Sequence, residues 1–307
     1  MSRHNRVAIG ILLIVIATVG VAWGIMRRSP VVTSNKLSIS TSFYPLWFFA
    51  SQIGGQYADV HNITPSGAEP HDYEPTSQDV VTIESGNLLI LNGGVEAWGD
   101  KLKASLKGTK TTVVVAGQGL LTHTLTENGV TGVDPHVWLQ PQLAADEAQV
   151  IANAMIAADP VHATTYQENL QTLLSQLSQL DTAYRLGLSS CKQTAFVTSH
   201  AAFGYLAEHY GLTQQAIAGL SPDAEPSTQQ LADVTAFAKK NNVRYIFFES
   251  LVSPKLAQTI AAEVGAKTLV LDPLEGVSPQ DQTAGRDYVS IMTDNLHNLQ
   301  LALQCTK

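Results

Sequence analysis

Cysteine is nearly absent. The 307 residues hold two, Cys191 and Cys305, both in the second half of the chain. No CxxC pair exists, so a thiolate metal cluster is excluded. No early cysteine is present to take a lipid, so a lipoprotein is not expected. Charge is also scarce: 14% of residues are Asp, Glu, Lys or Arg, against about 25% in an ordinary soluble protein. Several catalytic signatures are missing. There is no G-x-S-x-G elbow and no H-E-x-x-H. Gly94-Val-Glu-Ala-Trp-Gly99-Asp-Lys101 approaches a phosphate-binding loop, but Asp100 stands where the lysine must be. Gly117-Gln-Gly119 lacks the third glycine of a dinucleotide fingerprint.

The missing charge is concentrated. Residues 7–26 carry none, and Arg3, Arg6, Arg27 and Arg28 bracket them. A run of twenty uncharged residues matches a bilayer-spanning helix, whereas a cleaved signal usually has an apolar core of about 7–15. Residues 1–30 are therefore expected to be a signal anchor or signal peptide. They would place the remainder outside the cytoplasm, anchored to the membrane by an uncleaved helix or exported after cleavage. The rest holds 14 Lys and Arg against 26 Asp and Glu. Such an acidic body excludes a nucleic-acid partner, whose affinity needs clustered basic residues, and suits a cation. Outside the cytoplasm two lone thiols most simply pair, so a Cys191–Cys305 disulfide is expected.

Beyond the polar tether, strand-like and helix-like stretches alternate. Strands are expected at 37–41, 58–64, 88–92 and 111–116, separated by helices. The pattern resumes with strands at 194–199, 213–218, 243–249 and 267–272. Alternation of this kind marks parallel sheets with helical crossovers. Between the two sets, 141–158 reads as a helix. Leu170, Leu173, Leu174, Leu177, Leu180 and Tyr184 then recur at spacings of three and four within 161–188, as one long amphipathic helix. The last helix is expected at 280–304. The fold class is thus α/β: two lobes with central parallel sheets, 31–140 and 189–307, joined through linking helices at 141–188 that include one long rigid helix.

In open α/β sheets ligands sit beyond the carboxyl ends of the strands. Four metal-binding side chains fall there or in the loops that follow: His71 in Gly67-Ala-Glu-Pro-His-Asp-Tyr-Glu-Pro75, His136 in Asp134-Pro-His, His200 in Val197-Thr-Ser-His, and Asp272 in Leu271-Asp-Pro. Two come from each lobe. Three imidazoles and one carboxylate suit Zn²⁺ in tetrahedral coordination. Glu249 also ends a strand and is the main rival carboxylate, or a partner that orients an imidazole; Glu69 is a weaker rival. His61, His123, His162, His209 and His297 are read as ordinary surface histidines.

These segments, together with Ser42-Phe-Tyr-Pro45, Ser221-Pro-Asp-Ala-Glu-Pro-Ser227 and the run through Leu274, resemble the zinc/manganese-type solute-binding proteins of bacterial ABC importers. The resemblance spans nearly all of 37–303. It implies two lobes joined by a long helix, with the metal between them on His71, His136, His200 and Asp272. Manganese members typically carry Glu where this chain has His200, which points to the zinc branch. Many zinc members have a His- and acid-rich loop before the second ligand; here 117–133 holds only His123. The implied function is not enzymatic: capture of Zn²⁺ outside the cell by a monomer and delivery to the membrane permease of an ABC transporter. The rivals are a zinc-dependent hydrolase and a cell-adhesion protein that uses metal only for stability.

Overall fold

The computed structural model describes residues 36–127 and 129–306. The apolar segment 7–26 lies outside them; among the described residues no helix is long and apolar enough to cross a membrane.

The first lobe runs β1 (Leu37–Thr41), α1 (Tyr44–Gly54), β2 (Ala58–Asn62), α2 (Ser77–Ser85), β3 (Leu88–Leu91), α3 (Gly99–Ser105) and β4 (Thr112–Val115). Its strands are parallel in the order β2-β1-β3-β4. The central β3, Leu-Leu-Ile-Leu, is buried at every position, as expected of a strand covered on both faces. Local signals set the helix starts. Pro45 opens the first turn of α1, where its missing N–H leaves no bond unmade. Thr76 and Asp79 cap α2 reciprocally.

An antiparallel hairpin follows, β5 (Thr124–Glu127) with β6 (Val130–Val133). The strand reading passes over it, because it is short, polar and separate from the sheet. The chain then forms α4 (Pro141–Ala158), a 3-10 turn at Pro160–His162 and α5 (Ala163–Leu188). The turn shortens the expected 161–188 helix. On α5, Tyr166, Leu170, Leu173, Leu177, Leu180, Tyr184 and Leu188 are buried at spacings of three and four. That stripe packs on α4 and α1. Each such side chain contributes about 1.5–3 kcal/mol by leaving water.

The second lobe comprises β7 (Ala195–Thr198), α6 (Gly204–His209), β8 (Thr213–Ala216), α7 (Thr228–Lys240), β9 (Tyr245–Phe248), α8 (Lys255–Val264), β10 (Lys267–Val270), α9 (Pro279–Thr283) and α10 (Tyr288–Ala302). Its parallel order, β10-β9-β7-β8, repeats the first lobe: second strand, first, third, fourth. The expected last helix is two helices, broken at Gly285, whose φ of 70° favours glycine, and restarted by the Asp287–Ser290 capping box. Helix α10 packs against α5, and the Tyr184 hydroxyl donates to the Met292 carbonyl at 2.7 Å. A Cys191–Cys305 disulfide ties the end of this region to the entry of the second lobe.

Each sheet has one topological switch point, between its first and third strands. In the second lobe His200 and Glu249 flank it. In the first lobe it is filled by polar groups. Glu96 accepts from the Ser42 hydroxyl and from the Asn92 and Gly93 amides. The Asn92 side-chain amide donates to the Pro135 carbonyl and to Glu147, both at 3.2 Å. Glu147 is fully buried, and burial, with repulsion from Glu96, pushes its carboxyl up to about 8.

Candidate metal centre

Four loops converge where the lobes meet. His71 lies between β2 and α2, in a stretch pinned by Thr64, whose hydroxyl donates to the Ser42 carbonyl at 2.7 Å. Ser66 crosses to the other lobe and donates to the Val277 carbonyl at 2.6 Å. His136 follows the hairpin, His200 follows β7, and Glu275 lies in the loop after β10. Ligand atoms of these four residues all lie within 4.8 Å of one another. Glu275 Oε1 is 3.0 Å from His71 Nε2, 3.1 Å from His136 Nε2 and 3.2 Å from His200 Nε2. The Nε2 atoms of His136 and His200 are 3.2 Å apart. A tetrahedral zinc ion with bonds of about 2.0–2.1 Å has ligand–ligand edges of about 3.3–3.4 Å. Four of the six edges are thus already close to that size.

Two carboxylates aim two of the imidazoles. His136 donates from Nδ1 to Asp134 Oδ1 at 2.7 Å, and its backbone N–H donates to the same oxygen at 3.0 Å. His200 donates from Nδ1 to Glu249 Oε1 at 2.8 Å, and its backbone N–H donates there at 3.1 Å. Each pairing fixes the tautomer and leaves Nε2 as the free donor to a metal. His136 and His200 are fully buried. Burial alone disfavours their charged forms. Glu249 and Glu275 outweigh it at His200, and Asp134 and Glu275 at His136, so both pKa values rise, that of His200 well above 6.5. Burial would raise Glu275, but His200 and the bonds from all three imidazoles hold its carboxyl well below the usual range.

The sequence-derived set is thus brought together in three of its four members. Asp272 is elsewhere. Its Oδ2 accepts from the Ser250 hydroxyl at 2.6 Å, and its Oδ1 from the Leu274 N–H at 2.8 Å. Asn295 grips its backbone on both sides, at 2.8 and 2.7 Å. Burial pushes its carboxyl up to about 6. The physical reason for the difference lies in Leu274, whose φ of 59° is left-handed. Asp272 closes that turn with its own side chain, and the turn delivers Glu275, not Asp272, to the three imidazoles. The Trp138 indole N–H donates to the Pro273 carbonyl at 2.8 Å, joining the loops of His136 and Glu275. Glu249 sits behind His200 as its orienting partner. Glu69 accepts from the His71 N–H at 3.3 Å, and burial and the charge of Glu275 push its carboxyl up to about 9.

Sequence reasoning missed Glu275 because counting from the strand end stops at Asp272. The visible signal was a second carboxylate in Leu271-Asp-Pro-Leu-Glu275, one turn further on. Asp134 in Asp134-Pro-His carries no role in the sequence reading; an acid two residues before a candidate histidine is the available clue.

Residues 39–302 match the family model ZnuA, described as zinc-uptake complex component A, periplasmic. The chain is 36% identical over 312 residues to the zinc-binding protein AdcA of Streptococcus pyogenes serotype M1, covering 95% of this chain and 61% of that one. It thus spans about six tenths of the length of the AdcA relatives. It is 39% identical over 281 residues to the high-affinity zinc uptake system protein ZnuA of Bacillus subtilis strain 168, covering 88% of both. The crystal structure of the Zn(II)-bound ZnuA-like domain of Streptococcus pneumoniae AdcA aligns with a TM-score of 0.77 at 41% identity, over 88% of this chain and 99% of that domain. With the family model matched over both lobes and every loop of the site, the chain belongs to the ZnuA family.

Proposed function

We propose that this protein binds Zn²⁺ outside the cytoplasm and delivers it to the permease of an ABC importer, with His71, His136, His200 and Glu275 as the metal ligands. The observation that carries the reading is the convergence of three Nε2 atoms and one carboxylate oxygen, from loops of both lobes, at spacings close to four of the six edges of a zinc tetrahedron. Charge supports it: Glu275, Asp134 and Glu249 supply three negative charges around a dication. All ligands come from one chain, which suits a monomer. The charge-free segment 7–26 would tether the protein to the membrane.

A binding role is favoured over catalysis because four protein ligands close the coordination shell and leave no position for a reactive water. An adhesin role would leave zinc import intact when the protein is lost. The test uses the metal-stripped full chain in competition with a zinc chelator. Wild type should bind one Zn²⁺ and prefer it to Mn²⁺ by orders of magnitude, since imidazole nitrogen suits zinc and manganese prefers oxygen. His200→Glu should narrow that gap. Wild type binding both ions equally would overturn the reading.

A further inference from the structure

Helix α6 begins four residues after His200, and its Tyr205 reaches into the other lobe. The side chain is almost fully buried. Its hydroxyl accepts from the Thr122 N–H at 2.9 Å and the His123 N–H at 3.0 Å, and donates to the Asp134 carbonyl at 3.1 Å. Those residues are the two ends of the β5–β6 hairpin, closed by the Asp134 N–H donating to the His123 carbonyl at 3.0 Å. The His123 ring stacks on the Tyr205 ring, with centroids 3.9 Å apart and planes 2° from parallel, and its Nε2 meets Glu208 of the same helix at 2.6 Å. From the other side, a Cβ at Gly204 would lie 2.8 Å from Asp134 Oδ2. One hydroxyl therefore fastens Asp134 to the helix that follows His200, and Asp134 is the group that aims His136.

We propose that Tyr205 is a positioning residue that sets the metal selectivity of the site: its hydroxyl holds the Asp134–His136 loop against the His200 segment, so the ligands stay at tetrahedral spacing. This deepens the zinc reading and rests on it. A tetrahedral d¹⁰ ion needs four ligands and no more, whereas Mn²⁺ seeks further oxygen donors. His136, His200 and Glu275 are shielded from solvent and His71 is half-buried, so the seam where the two loops touch is a closed route for the water that would supply added ligands. Releasing the latch opens that seam. It penalises zinc, whose geometry is lost, more than manganese, which gains water.

The experiment uses full-length, metal-stripped protein and three variants. Tyr205→Phe keeps the ring stack and removes the three hydroxyl bonds. His123→Ala removes the stack and the Glu208 contact but keeps the hydroxyl. Gly204→Ala leaves the hydroxyl in place and pushes Asp134 aside. Zn²⁺ and Mn²⁺ affinities are measured by chelator competition, and Co²⁺ absorption reports coordination number. For Tyr205→Phe we expect zinc affinity to fall about 10- to 100-fold, the range for groups that orient metal-bound side chains. The Zn/Mn ratio should narrow and the intense tetrahedral Co²⁺ bands should weaken. Gly204→Ala should move the ratio the same way and remains informative if Tyr205→Phe fails to fold; His123→Ala should leave the ratio near wild type. Unchanged zinc affinity and ratio in Tyr205→Phe, or equal losses for both ions, would overturn the latch while leaving zinc binding intact. Wild type that binds no zinc would instead sink the underlying reading.

Discussion

Replacing Glu147 with glutamine removes a titration that burial makes expensive. Glu147 lies on α4 with no exposed surface, and Oε1 accepts from the Asn92 amide while Oε2 has no partner. Its carboxyl rises from 4.5 to about 8 on folding. Between those values the folded protein keeps a proton that the unfolded chain gives up. A group raised in this way contributes stability that is complete below pH 4.5 and is lost as pH climbs toward 8. The loss is about 1.4 kcal/mol per pH unit. Between pH 5.5 and 7.5 it amounts to about 3 kcal/mol, an upper value for a rigid site. Glutamine keeps the acceptor for Asn92 and carries no proton to lose. Denaturant unfolding of the metal-free protein and Glu147→Gln, at several pH values, isolates this group because all other titrations are shared. The variant should gain on wild type steadily from pH 5.5 to 7.5 and level off above 8. A difference that does not change with pH would refute the reasoning.

Glu275→Ala should remove most zinc affinity in a chelator competition, whereas Asp272→Asn, which keeps an acceptor for the Leu274 N–H, should cost no more than about 10- to 100-fold; the reverse ranking would make Asp272 the ligand. Because His136 and His200 are raised above 6.5, protons should compete with zinc from near neutral pH downward. Glu275 is held ionised and adds no proton. Calorimetry at pH 7 in buffers of different ionisation enthalpy should therefore detect proton release on zinc binding, and none is the contrary result. Reducing Cys191–Cys305, which closes a 114-residue separation, should cost stability on the order of 4–5 kcal/mol in the chain-entropy model; unchanged unfolding in reductant would show that the bond contributes nothing.

Local patterning made much of this fold readable. Charge-poor strands such as Leu88–Leu91 and the three-and-four spacing of leucines on α5 declare themselves in short windows, and proline and capping residues mark where helices begin. What escaped was non-local. The β5–β6 hairpin is polar and pairs only with itself, so no hydrophobic alternation reveals it. The break at Gly285 depends on a left-handed φ inside an otherwise continuous helical pattern. At the site, the three histidines could be selected because the strand-end rule places them. Which carboxylate meets the three imidazoles depends on the left-handed turn at Leu274, which leaves Asp272 on Ser250 and the Leu274 N–H and brings Glu275 to the histidines. Asp134 reaches the His136 ring from two residues away, a local contact that the strand-end rule ignores, whereas Tyr205 meets Asp134 only once the lobes assemble.

The proposed function requires one zinc ion among His71, His136, His200 and Glu275. Its most direct test is a crystal structure of the zinc-loaded protein with anomalous diffraction data collected on both sides of the zinc absorption edge. One strong anomalous peak is expected between the lobes, bonded to three Nε2 atoms and one Glu275 oxygen at about 2.0–2.2 Å, with Asp272 still turned toward Leu274. A peak bonded to Asp272 or to water in place of Glu275, or no zinc at this position, would contradict it.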